Sequence, residues 1–214
     1  MKKIILIFCF IFFQLDADTI FNGYGSGNII LSEDSELFIE NNTTTTLKNI
    51  TLKNLSEQRL VMGGSNSVLA LENTTIFLDG DYSFTQGYLY IHHDVKICGT
   101  SNFNYLSTQS CYIDQFSKLY FDFDTTFNYA ITAESFRELI HMTDNTSKLH
   151  LNGCSLYSTS TGMKLTSGQV FFDNLVTLSS GGQTVEEAML FQDDCVVTPL
   201  SGACVEVYGQ VDFK

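Results

Sequence analysis

The feature that most constrains this chain is a short pattern that it uses six times. Numbered from a small first residue, the copies begin at Ser67, Gly87, Ser117, Ser147, Gly168 and Ala203. Two residues on stand Leu69, Leu89, Leu119, Leu149, Val170 and Val205, and four on stand Leu71, Ile91, Phe121, Leu151, Phe172 and Val207. Offset eight holds mostly β-branched residues, and offset ten holds Phe77, Ile97, Phe127, Tyr157, Leu178 and Phe213. Apolar residues at every second position follow the period of a strand with one face buried. Offset six interrupts the series with Asn73, His93, Phe123, Gly153, Asn174 and Gly209. Asn and Gly accept a left-handed backbone at low cost, so a sharp bend between two strands is predicted there. Phe123 departs from that rule.

A short apolar cluster precedes each copy, such as Leu60–Met62, Tyr82–Phe84, Tyr112-Ile113 and Leu139–Met142. Each repeat therefore reads strand, polar turn, strand, tight bend, strand, loop. Phe136, Leu139 and Ile140 have helical spacing, but the repeat predicts loop and then strand over 131–142. A single unit of three short strands cannot bury its apolar face, whereas stacked units can, each strand pairing with its counterpart one turn away. The predicted fold is an all-β parallel solenoid of about seven to eight turns, right-handed by the usual chirality of parallel crossovers. An antiparallel β-sandwich is the alternative. The copies start 20, 30, 30, 21 and 35 residues apart, so loops of different length are expected around a constant cross-section.

The first seventeen residues are of another kind. Lys2 and Lys3 precede an unbroken apolar run from Ile4 to Phe13, and small Ala17 follows. This is the pattern of a signal peptide, and the run is too short to span a bilayer as a helix. The expectation is an exported protein, secreted, periplasmic or at the cell surface, with its folded part over 18–214. Ile20, Phe21 and Tyr24 are expected to cover the N-terminal end of the stack. No polar cap follows Val211–Lys214, which predicts either a piece of a longer chain or an end covered by a partner. A net charge of −13 with only two arginines, Arg59 and Arg137, argues against nucleic acid. Cys98, Cys111, Cys154, Cys195 and Cys204 remain after the leader, with no CxxC spacing for zinc. Export permits a disulfide, and Cys98–Cys111, which bracket a polar loop, are the first candidate pair.

The inward files of Leu, Ile, Val and Phe, with Asn or Gly at the bend, run through residues 28–213. In this they resemble the right-handed parallel β-helix class shared by pectate-lyase-like enzymes and many bacterial surface proteins. The resemblance implies an exported bacterial solenoid and leaves the activity open. Lyases of that architecture hold calcium with several carboxylates and use a basic residue as the base. The hydrolases use grouped aspartates with a Gly-His-Gly. This chain has no Gly-His-Gly, and its pairs Asp79/Asp81, Asp122/Asp124 and Asp193-Asp194 read as turn and surface residues. No catalytic, cofactor or metal residue is assigned. The histidines, His92, His93, His141 and His150, read as polar surface residues.

One outward feature is specific. Offset three holds Tyr90, Tyr120, His150 and Phe171 in four consecutive copies, with Lys118, Lys148 and Gln169 beside them. In a regular stack these form a row of rings about 4.8 Å apart, suited to sugar rings or another protein. The expected function is thus a non-enzymatic exported β-solenoid, a surface, adhesive or structural binding protein. The alternative is a polysaccharide lyase or glycoside hydrolase of the same architecture.

Overall fold

The structure is a computed structural model, and it describes residues 19–32, 34, 36–131 and 137–214. Its strands pair in parallel throughout and wind into a three-sided solenoid of about eight turns. Face 1 begins with the N-terminal parts of β1 (Thr19–Ile30) and β3 (Thr44–Lys53). It continues through β5 (Val68–Glu72), β8 (Tyr88–His92), β11 (Cys111–Ile113) and β14 (Ile140–Met142). It ends in the N-terminal parts of β17 (Lys164–Asp173) and β19 (Met189–Pro199), then β21 (Val211–Phe213). Face 2 takes the C-terminal parts of β1 and β3, then β6 (Thr75–Leu78), β9 (Asp94–Gly99), β12 (Lys118–Phe121), β15 (Lys148–Asn152) and the C-terminal parts of β17 and β19. Face 3 comprises β2 (Leu37–Ile39), β4 (Leu60–Met62), β7 (Tyr82–Phe84), β10 (Asn102–Tyr105), β13 (Thr126–Tyr129), β16 (Ser155–Ser158), β18 (Leu175–Ser180) and β20 (Cys204–Tyr208). Four strands run round a corner, so faces 1 and 2 make one 13-stranded sheet.

The corners lie where short polar residues tolerate a left-handed backbone. Asn49, Asn54, Asn73, His93 and Asn174 have φ between 47° and 60°, and Gly153 has 57°. Phe123 is not itself the bend; the neighbouring Asp124 takes it, at φ 60°. Spacing across the corner decides parity. From Ile91 to Val95 and from Phe172 to Val176 four residues separate inward positions, and the even offsets stay inside. From Leu71 to Thr74 and from Leu151 to Cys154 only three do, and the pattern inverts. Phe77 and Tyr157, expected inside at offset ten, therefore face water at 38% and 37% exposure.

The interior is a single file-ordered core. Leu119, Leu149 and Val170 stack in register on face 2, as do Phe121, Leu151 and Phe172. Face 3 contributes Phe84, Tyr105 and Tyr129, whose ring centroids lie 5.7 and 6.1 Å apart. The Tyr129 hydroxyl accepts from the Leu139 N–H at 3.2 Å, which satisfies its polar end inside the core. The small first residue of each copy also has a role. Ser67 and Ser147 point inward, and their hydroxyls donate at 3.0 Å to the carbonyls of Ile39 and Asp114 in the turn below.

Two expectations change, and a third is met in the residues described. Thr19–Asn22 pair with Thr45–Lys48, and Gly27–Ile30 with Ile50–Lys53, so this stretch is the first rung of the stack instead of a cover over its end. Cys98 and Cys111 do not bond: Cys111 lies in the inward file between Leu89 and Ile140, and Cys98 is outward on face 2. In 131–142 the strand is present at Ile140–Met142, while 132–136 fall outside the described residues. The leader at 1–17 lies outside them too. Among the described residues no helix is long and apolar enough to cross a membrane.

Candidate binding surface

The rings expected in one row stand in two ladders on adjacent faces. On face 1 Tyr90 pairs in register with Tyr112, and Tyr112 with His141. Their centroids are 4.8 and 5.5 Å apart, and His92 stacks on Tyr90 at 6.1 Å. On face 2 Tyr120, His150 and Phe171 follow one another at 4.6 and 5.8 Å. Tyr90 and Tyr120 are therefore not neighbours; Lys96 is the residue below Tyr120. The cause is the 30-residue step from Gly87 to Ser117, which is a turn plus one face, since Leu89 pairs with Cys111 and Leu119 with Val95. Tyr112 and His141, absent from the expected set, belong to three-residue strands in the clusters that precede copies. Alternation within those strands is the signal that marks them as outward.

Face 2 adds a polar network to its ladder. Lys96 is paired with Asp122, and the ammonium groups of Lys96 and Lys118 lie 5.4 and 5.6 Å from the Tyr120 ring centroid. Asn152 donates to the Tyr120 hydroxyl at 2.5 Å and to Asp122 Oδ1 at 2.7 Å, and Asn174 donates to Asn152 Oδ1 at 2.7 Å. Lys118 pairs with Asp94 at 3.4 Å, and His150 Nε2 lies 3.9 Å from Asp173 Oδ2. Burial, with the Asp122 charge beside it, pushes the Tyr120 phenol up to about 12. Burial also acts on Asp122, but hydrogen bonds from Lys96 and Asn152 hold its carboxyl below the usual value. Burial depresses the His150 and His141 imidazoles. At neutral pH the network thus contains a protonated phenol, a neutral imidazole and a carboxylate neutralised by lysine. Such groups bind and orient hydroxyls readily, and the neutral His150 imidazole is the member able to accept a proton.

Between the ladders lies the corner from face 1 to face 2. His93 turns it in one rung and the Asp114–Ser117 turn in the next. A depression of about 300 Å³ opens there, lined by His92, His93, Asp114, Gln115, Phe116 and Ser117. His92 Nδ1 lies 3.3 Å from Asp114 Oδ2. Phe116 is 78% exposed and has φ 57°. All four histidines of the chain lie on this surface. Elsewhere the acidic pairs serve turns: Asp81 accepts from the Asn102 N–H at 2.9 Å, and Asp79 from that of Asn54 at 3.0 Å. Among the described residues no three His, Cys, Asp or Glu side chains come together as a metal site.

Comparison of the chain with protein families, with curated proteins and with solved structures finds no match.

Proposed function

We propose that the chain is an exported, non-enzymatic β-solenoid that binds glycan through outward rings on faces 1 and 2. We read it as a right-handed, pectate-lyase-like member of bacterial origin, working as a surface or adhesive protein. The observation that carries the reading is the pair of ring ladders, Tyr90–Tyr112–His141 and Tyr120–His150–Phe171, on adjacent outer faces. Aromatic rings held at fixed spacing by a rigid ladder, half-buried on the outer faces, suit the flat apolar faces of sugar rings. The test is binding of the folded chain to immobilised polysaccharides, with Tyr90→Ala/Tyr112→Ala against the parent. Retained melting with about tenfold weaker binding supports the reading; undiminished binding counts against it.

One observation favours an enzymatic second reading. Lys96, Asp122, Tyr120, His150 and Asp173 meet on one face, the kind of carboxylate and lysine grouping a polysaccharide lyase or hydrolase needs. The lowered Asp122 carboxyl, paired with Lys96, and the raised Tyr120 phenol weigh against it, because neither of these two groups changes its proton state near neutral pH. Calcium-dependent cleavage of an acidic polysaccharide would overturn the binding reading.

A further inference from the structure

The corner depression lies between the two ladders and shares His92, which stacks on Tyr90, with the first. We infer that it takes one ring of a neutral saccharide, stacked on Phe116. This rests on the reading of the surface as glycan-binding and adds where the contact is made and to what class of sugar.

Phe116 is the starting point. Turns of the same form occur at Asp114–Ser117 and Asp144–Ser147, closed by Ser N–H to Asp carbonyl bonds of 3.1 and 3.3 Å. The residue matching Phe116 one rung up is Thr146, whose hydroxyl accepts the Phe116 N–H at 2.8 Å. Thr146 is not among the residues with positive φ, whereas Phe116 is, at 57°. A bulky aromatic is a poor choice for that backbone region, and at 78% exposure it adds nothing to the core. Strain of this kind, kept without a packing return, points to function.

The walls identify the ligand. Phe116 offers the one large apolar face, so the ligand has one apolar face and is polar elsewhere. Asp114 accepts from the Gln115 N–H at 2.8 Å and faces His92, leaving a carboxylate, imidazoles and an amide around the depression, while the buried Ser117 hydroxyl is taken up by the His93 N–H and the Gln115 carbonyl. This mixture of donors and acceptors matches sugar hydroxyls, which do both. No lysine or arginine lines the depression, Asp114 does, and the chain carries a net charge of −13. A polyanion is disfavoured on all three counts. The volume of about 300 Å³ lies at the small end of ligand sites, enough for a single ring. The depression also completes a path: Tyr112, Phe116 and Tyr120 project from face 1, the corner and face 2 of one rung.

The experiment uses the whole chain with three soluble neutral polymers, a β-glucan, a galactomannan and a xylan, and with polygalacturonate as the acidic probe. The variants are Phe116→Ala and Phe116→Asn; Asn tolerates the left-handed backbone, so its melting temperature is expected to equal or exceed the parent's. Binding of at least one neutral polymer, weakened about tenfold by both variants, is the expected result. Full neutral binding by Phe116→Asn overturns the corner site and leaves the ladders as the binding surface. Binding of polygalacturonate alone overturns the neutral class. Binding of none of the four by the parent overturns this inference together with the glycan reading beneath it.

Discussion

Leu151→Ala tests the stack at its centre. Leu151 is fully buried in the inward file of face 2, in register between Phe121 and Phe172. Truncation removes three carbon atoms, and at about 0.8 kcal/mol each the transfer part is about 2.4 kcal/mol. Rings on both sides restrict collapse into the vacated space, which adds about 1 kcal/mol. The expected loss is about 3.5 kcal/mol in urea denaturation, read as a lower midpoint at unchanged slope. Phe171→Ala, beside the register partner Phe172 but outward, is the control, with an expected loss of about 1 kcal/mol. Leu151→Asp puts a charge into the same file and is expected to unfold the chain cooperatively. Equal losses for Leu151→Ala and Phe171→Ala would refute the assignment of inward and outward files. Unchanged melting of Leu151→Asp would refute the stack itself.

Two further predictions concern corners and pH. Gly153→Ala places a side chain at φ 57° and against the Phe123 ring, with an expected cost of about 2 kcal/mol; adding Phe123→Ala should restore only the steric part, as denaturation of single and double variants will show. Burial lowers the His141 and His150 pKa values below 6.5 in the folded chain, so the unfolded chain takes up protons first. Their stabilising contribution is complete above pH 6.5 and is lost as pH falls below it, with Asp122 adding a further loss below 3.8. Denaturant midpoints across this range should fall in that order, and His141→Asn/His150→Asn should flatten the first decline.

Much of the candidate surface was legible as residues and not as a place. Alternation within a strand is local and so marks Tyr90, Tyr120, His150 and Phe171 as outward, and all four are outward. Their arrangement in one row was wrong because the pattern of strand plus bend serves any corner. The copies at Ser67 and Gly87 lie on face 1, those at Ser117, Ser147 and Gly168 on face 2, and that at Ala203 on face 3. Phe116 carried no periodic signal, since it sits in the polar turn of its repeat and the matching residue one rung up is Thr146.

The sequence by itself determined the strand period, the stacked parallel architecture and the inward files at offsets two and four of every copy but that at Ala203, whose Val207 is exposed, because each depends on side-chain alternation between near neighbours. It also placed most bends, because Asn and Gly at offset six state a backbone preference directly. Only the tertiary structure decided which rung and which face each copy occupies. Rungs differ in loop length, so 20, 24 and 30 residues all advance the chain by one turn, and register is set by ladder hydrogen bonds that linear spacing does not report. That register separates Cys98 from Cys111, joins Tyr112 and His141 to Tyr90, and brings His92, Asp114 and Phe116 to one corner.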